Sequence, residues 1–212
     1  MNYVARVTLS QEEAARQQFY GVYGWHKAAW GLFPKMPDAR RDDLGLLFRV
    51  DESENEFRLT IASKNKPQRS SWCPEDQWLF RQLEPDYWEH HKYLFKLRVN
   101  PTRTTRKNPD QSLREKKHGR HEAILKISEL KEWFFLKARQ NGFNVLDIPE
   151  LEIAPPIFHY LSKKGHEGTI VGVDFKGALE VTDRELFKKA FEQGIGRARS
   201  FGFGLLILKP IQ

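Results

Sequence analysis

The sequence predicts an α+β protein made of two successive βαββαβ units, and three observations carry that expectation. Short runs that alternate apolar and polar residues, the period of a half-buried strand, are interspersed with stretches whose apolar residues recur every three or four positions, the period of a helix. The order of these runs is nearly the same in residues 1–90 and in residues 91–212, so those two spans are the expected domains. A chain of 212 residues is long enough for one large or two small domains and can bury about 70% of its unfolded surface without staples.

In the first half, Asn2 to Leu9 alternates Tyr3, Ala5, Val7 and Leu9 with polar neighbours and reads as a strand. Ser10 with Glu13 three positions later forms a capping box, in which the hydroxyl satisfies the amide of Glu13 and the carboxylate reaches back to the amide of Ser10. The helix it starts places Phe19, Val22, Tyr23, His26, Trp30 and Phe33 at spacings of three and four and ends before Pro34. Leu44 to Val50 and Glu56 to Ala62 form a hairpin across the acidic turn that begins at Asp51. Pro74 to Leu83 is expected to be a short helix, with a closing strand near Tyr87 to His90.

In the second half, Tyr93 to Val99 alternates again. Residues 100–120 carry seven basic and two acidic side chains, two prolines and no apolar periodicity, and read as a mobile basic loop. Ser128 is the expected cap of a helix with Leu130, Trp133, Phe134, Lys137 and Ala138 on one face and a stop at Asn141-Gly142. Leu151 to Leu161 and Gly168 to Val181 make a second hairpin, with Lys163 and Lys164 at its tip. Thr182 or Asp183 then caps a helix that runs to Gln193, a glycine-rich loop follows, and Leu205 to Pro210 is the last strand. Two such units in tandem amount to a duplicated ferredoxin-like fold, the architecture that also underlies RRM modules.

Composition narrows the function. The formal charge is +7, and its distribution is uneven: residues 1–90 hold 12 basic and 14 acidic side chains, residues 91–212 hold 23 and 14. A basic second half attracts polyanions through counterion release and long-range steering. Six tryptophans, six tyrosines and 15 phenylalanines suit base stacking as well as core filling. Cys73 is the only cysteine, so no intrachain disulfide forms, which fits a reducing, cytoplasmic setting. The first residues lack the basic and apolar regions of a signal peptide, and no apolar run reaches 18 residues, so no membrane association is expected.

The densest motif is GIGRARSFGFG at Gly194 to Gly204. Four glycines, Gly194, Gly196, Gly202 and Gly204, allow a backbone that approaches a ligand closely, while Arg197 and Arg199 offer planar donors matched to phosphate oxygens. The order is helix, loop, strand, the reverse of a dinucleotide fingerprint, and no P-loop lysine follows. On the residues alone, the loop is either a nucleic-acid contact or a flexible connection.

His26 shares a helical stripe with Tyr23 one turn before it. An imidazole both takes and gives a proton near neutral pH, and a phenol can donate or orient. A core histidine packed by Trp30 would have the same spacing. Zinc would want more cysteines or a helical H-E-x-x-H, which the pairs His90/His91 and His118/His121 do not supply, so no metal or cofactor is expected.

The stretches GIGRARSFGFGLLIL, GTIVGVDFKGALEVTDRELFKKAFEQ and YGVYGWHKAAWGLFP together resemble the CRISPR-associated repeat-RNA endoribonucleases, most closely the CasE subfamily that serves the Cascade complex. The likeness covers both ends of the chain; residues 100–120 match no pattern of that family. The resemblance implies tandem ferredoxin-like domains and metal-independent cleavage of CRISPR precursor RNA at the base of the repeat stem-loop. The ribose 2′-OH attacks, a 2′,3′-cyclic phosphate is left, and the enzyme stays bound as a Cascade subunit. It also implies His26 as the catalytic residue with Tyr23 assisting, and RNA contacts from Lys163, Lys164, Ser200 and the glycine loop; Lys27, adjacent to His26, is a further candidate phosphate contact, although sequence neighbours point about 100° apart on a helix. A non-catalytic RNA-binding subunit on the same scaffold and a metal-dependent nuclease are the rival readings, and neither a small-molecule substrate nor a membrane is expected as partner.

Overall fold

The computed structural model describes residues 1–33, 45–105, 120–163 and 166–211. Leu44, Lys164 and most of the basic loop, with His118, lie outside them. The first half contains β1 (Tyr3–Ser10), α1 (Gln11–Arg16), α2 (Gly21–Trp30), β2 (Leu47–Glu52), β3 (Glu56–Ser63) and β4 (Trp78–Gln82). A 3₁₀ turn at Pro85–Trp88 leads to β5 (Lys92–Val99), β6 (Thr102–Thr105), β7 (Arg120–Ala123) and α3 (Ile127–Gln140). Then come β8 (Phe143–Val145), β9 (Glu152–Ile153), β10 (Ile157–Lys163), β11 (His166–Val181) and α4 (Arg184–Gln193). The glycine loop, with its own 3₁₀ turn at Arg199–Phe201, delivers the chain to β12 (Leu206–Ile211).

One antiparallel sheet has the order β2-β3-β1-β4 and the other β10-β11-β5-β12. When the four long strands of each half are numbered from its start, both orders read 2-3-1-4, the ferredoxin-like arrangement twice over. In the first core, Trp25, Ala28, Ala29 and Leu32 of the α2 segment recur at helical spacing and pack on Val7, Leu9, Phe48, Leu59 and Ile61 of the sheet. In the second, alternate residues Tyr93, Phe95, Leu97 and Val99 of β5 meet α3 and α4, and Phe134 stacks on Phe175 with ring centres 4.3 Å apart. Leu47 and Ala62 of the first sheet belong to this second core.

Four expectations are corrected. The single helix after Ser10 is two helices: the capping box starts α1, but Gln18 takes φ 56° and Gly21 φ 56°, and the chain restarts as α2. The break lets Phe19 turn inward against Trp25 and Trp72, at 5.3 and 4.9 Å between ring centres. Gly24 makes room for it, since a Cβ there would lie 2.9 Å from the backbone of Phe19. Pro74 to Leu83 is not a helix; its second part is β4, which pairs with β1 from Tyr3↔Gln82 to Val7↔Trp78. The unpaired edge of β1 needs partners for its N–H and C=O groups, and the aromatic-rich run WLFRQ suits a strand better than a helix. The closing strand at Tyr87 to His90 is instead the 3₁₀ turn, which begins with a proline that could not donate to a ladder. Lys126 rather than Ser128 precedes α3, with no side-chain cap, because Ile124 bonds to the carbonyl of Pro101 and brings the chain in early. The ends of the basic segment also have structure, a two-stranded ribbon of β6 and β7.

The two sheets are tied by charge. Arg49 of β2 has no exposed side-chain surface; it donates to Asp51 at 2.7 and 2.9 Å and to Asp174 of β11 at 3.0 Å. Arg98 of β5 grips Asp174 at 2.8 and 2.9 Å and donates to the carbonyl of Val50 at 2.7 Å, and Lys96 reaches Asp51 at 3.0 Å. Burial raises both carboxyl pKa values, but hydrogen bonds and charge outweigh it: Arg49 and Lys96 hold Asp51 below the ordinary range, and Arg98 and Arg49 do so for Asp174.

A depressed carboxyl pKa contributes stability above the unfolded value, about 3.9 for Asp, and that stability is lost as pH falls through the folded value. Melting temperature is therefore expected to drop steeply below about pH 4. Asp174→Asn, which leaves Arg49 buried with one carboxylate, is expected to cost on the order of 3 kcal/mol at neutral pH and to flatten the acid limb. Thermal melts of both proteins from pH 7 to pH 2 check this; superimposable acid limbs would contradict it.

Candidate active site

Two distant parts of the chain meet at His26. α2 lies against β10 and against the 3₁₀ turn of the glycine loop. His26 Nδ1 sits 2.6 Å from the carbonyl oxygen of Ser200. A carbonyl can only accept, so Nδ1 carries the proton, and in the neutral ring the lone pair belongs to Nε2. The imidazole is packed on several sides by rings, with Tyr23, Trp30, Phe48 and Phe201 at 6.1, 6.0, 6.5 and 6.0 Å between centres. Tyr23 and His26, three positions apart on one helix face, are nearly parallel, 11° apart. Lys27, expected to point elsewhere as a sequence neighbour, folds back so that Nζ lies 4.6 Å above the Tyr23 ring.

The glycine loop is a shaped support. All four of its glycines have φ between 76° and 89°, and Ala198 joins them at 59°. Gly204 cannot carry a side chain, because a Cβ there would lie 2.7 Å from the carbonyl oxygen of Ile195. At that point the loop closes on itself, the amide of Ile195 donating to Gly204 at 3.0 Å and the amide of Gly204 donating to Arg98 at 2.7 Å. Gly194 and Gly202 also spend their amides inside the protein, on Ala190 and Arg199. Gly196 differs: a Cβ would meet only Val99 and Trp133 at ordinary contact distance, so its φ of 86° is the constraint there.

The two arginines do separate work. Arg199 Nη1 donates to the carbonyl of Gln193 at 2.6 Å, which clamps the turn carrying Ser200 to the end of α4. Arg197 is exposed and donates to Nε2 of His121 on β7 at 3.1 Å, linking the loop to the basic ribbon. A cavity of about 620 Å³ opens at His26, and Tyr23, Trp30, Lys64, Arg199, Ser200 and Phe201 are among its lining residues. Cationic Lys64 and Arg199 beside an imidazole and a phenol suit an anionic group undergoing proton transfer.

The structure thus gathers His26, Tyr23, Lys27, Arg199 and Ser200, and places Arg197, Gly196 and Gly202 in the adjoining loop. Lys163 lies at the far end of β10, in the hairpin whose other end, at Ile157 and His159, reaches α2. Sequence reasoning missed Phe48, Lys64 and the part of Ser200 that matters here, its carbonyl. Backbone acceptors have no sequence signature, and Phe48 reads as an ordinary strand residue. Among the described residues, no three His, Cys, Asp or Glu side chains converge in a way that could hold a metal ion, and no helix is long and apolar enough to cross a membrane.

Comparison with known proteins shows which family the chain belongs to. The chain is 29% identical over 204 residues to the CRISPR system Cascade subunit CasE of Escherichia coli K12, covering 96% of this chain and 99% of that one. The crystal structure of Cas6e from the same organism superposes with a TM-score of 0.70 at 25% identity, covering 99% of this chain and all of that one. Thermus thermophilus Cse3, solved bound to an RNA representing a pre-cleavage complex, shares the fold with a TM-score of 0.75 at 21% identity, again over 99% of this chain and all of that one. A family profile described as "CRISPR associated protein" matches residues 2–210, and the chain belongs to that family.

Proposed function

We propose that this protein is an endoribonuclease that cleaves CRISPR precursor RNA at the base of the repeat stem-loop and remains on its product as a Cascade subunit, in the cytoplasm. The observation that carries the reading is the hydrogen bond from His26 Nδ1 to the Ser200 carbonyl, which fixes the ring's orientation and leaves Nε2 as the nitrogen that exchanges a proton. Similarity to a Cascade subunit along nearly the whole chain supports its place in that complex, and the fold shared with RNA-bound Cse3 supports RNA as the substrate class.

The chemistry is a transesterification. The 2′-OH of the nucleotide before the scissile bond loses its proton to His26 Nε2 and attacks its own 3′ phosphate; the bond from phosphorus to the 5′ oxygen breaks as the new one forms. The leaving oxygen takes up a proton, and the products are a 2′,3′-cyclic phosphate and a 5′-OH. Tyr23, beside His26 and under Lys27, positions or donates. Lys64 and Arg199 stabilise the charge that gathers on the phosphorane-like state. The half beginning near residue 91 supplies the RNA grip, through Arg197, the glycine loop, Lys163 and Lys164. No step needs a metal ion.

Three outcomes test this. His26→Ala is expected to lower single-turnover cleavage of a repeat hairpin by about 10²-fold or more with RNA affinity nearly intact, because the loss falls on proton transfer; near-normal cleavage would overturn the assignment. Cleavage is expected to persist in chelator, to stop when the nucleotide before the scissile bond is 2′-deoxy, and to leave cyclic phosphate ends; 3′-OH and 5′-phosphate ends would mean a metal-activated water. The two arginines are expected to fail differently. Arg197→Ala should weaken binding and lower the slope of log K against log salt by about 0.7 to 0.9, whereas Arg199→Ala should chiefly slow cleavage by releasing the turn that holds Ser200. Equal effects of both on salt slope and rate would contradict that division.

A further inference from the structure

A second cavity, of about 570 Å³, lies directly across the wall that Phe48 and Phe201 make beside His26. Phe201 lines both cavities, while Phe48 lines the second with its ring centre 6.5 Å from that of His26, so the Phe201 ring is what separates the two spaces. Phe19, Tyr20, Trp25 and Phe57 face the second space from the first half of the chain, and Ile157, His159 and Phe203 close it from the second.

We propose that this aromatic cavity receives the unpaired base of a nucleotide flanking the scissile phosphate, a subsite that rests on the endoribonuclease reading above. Its charge selects a base over a phosphate. Arg98 is the one guanidinium lining the cavity, and it is engaged elsewhere, with two hydrogen bonds to Asp174 and one to the carbonyl of Val50. Glu52, exposed at the lining, repels phosphate but accepts from the N–H groups of a base edge. His159 is held neutral by burial and by the charge of Arg98. The cations that suit a phosphate, Lys64 and Arg199, are on the His26 side of the wall. One ribose separates a phosphate from its base, and one ring separates these two spaces.

The backbone break between α1 and α2 builds the entrance. Gln18 in the left-handed region costs energy that a continuous helix would avoid, and its result is that Tyr20 stands 65% exposed beside the opening. The phenol is not loose: its hydroxyl donates to the carbonyl of Ala15 at 3.1 Å, and its carbonyl accepts from Gly24. A fixed, exposed aromatic at the mouth of an aromatic cavity is a stacking platform.

The test uses the full-length protein and the repeat hairpin it cleaves, made uncleavable by 2′-deoxy substitution before the scissile bond. Each nucleotide within two positions of that bond is replaced in turn by 2-aminopurine or by an abasic residue. At one position the wild type is expected to quench 2-aminopurine, and base removal there to weaken binding about 5- to 100-fold, the range for one stacked base. In Tyr20→Ala, and in Ile157→Trp, which fills the cavity from the other half, both effects are expected to shrink at that position only, with melting temperature unchanged within a few degrees. If the wild type cleaves the hairpin but no position shows these effects, or if the variants show them undiminished, the base subsite is overturned and the nuclease reading stands. If the wild type cleaves no repeat hairpin, both fall.

Discussion

The placement of Arg49 is the constraint on which the rest depends. A guanidinium with no exposed side-chain surface is tolerable only if charge and hydrogen bonds offset the water it has lost; Asp51 accepts two of its bonds and Asp174, in the other sheet, accepts a third. Arg98 completes the tie: it holds Asp174 with one edge, while its own carbonyl accepts from Gly204. A single chain of contacts therefore runs from β2 through β11 and β5 into the glycine loop, and the loop presents the Ser200 carbonyl to His26. Protonation removes the negative charge with which both carboxylates hold these cations, so the geometry of the site and the stability of the fold share one pH dependence on the acid side.

This makes the geometry of His26, the proposed catalytic residue, a composite. α2 packs on the first sheet through Trp25, Ala28 and Ala29, and that packing fixes where the imidazole stands. What fixes its tautomer comes from 174 residues further along the chain. A proton carrier whose ring is held by a backbone carbonyl is insensitive to the identity of the side chain at that position, so Ser200 contributes as a point on a curve. That curve is held by Gly204, which no other residue can replace, and by the clamp of Arg199 on Gln193.

Much of the fold was legible in the sequence because its signals are local. The alternation of β1 and β5, the capping box at Ser10, the Asp183 cap and the stop at Asn141-Gly142 all rest on neighbours within four positions. The errors fall where tertiary demand overrides that pattern. Phe19 leaves its helical stripe to meet Trp72, and Trp78 to Gln82 abandons helical periodicity to cover the edge of β1. In the site, the residues with distinctive side chains, His26, Tyr23 and Arg199, could be singled out in advance. The Ser200 carbonyl and the Arg49–Asp174 pair could not, since each acquires meaning only from a residue more than a hundred positions away, and Phe48 reads as an ordinary strand residue until the fold sets it beside His26.

The central claim is that the two halves together set the protonation of one imidazole. The most direct measurement is a nitrogen-detected NMR spectrum of histidine-labelled protein, with His26 assigned by the His26→Ala variant. The account predicts that neutral His26 carries its proton on Nδ1 in the wild type and that this single tautomer gives way to a mixture in Asp174→Asn. A wild-type spectrum with the proton on Nε2, or a mixture already present there, would contradict it.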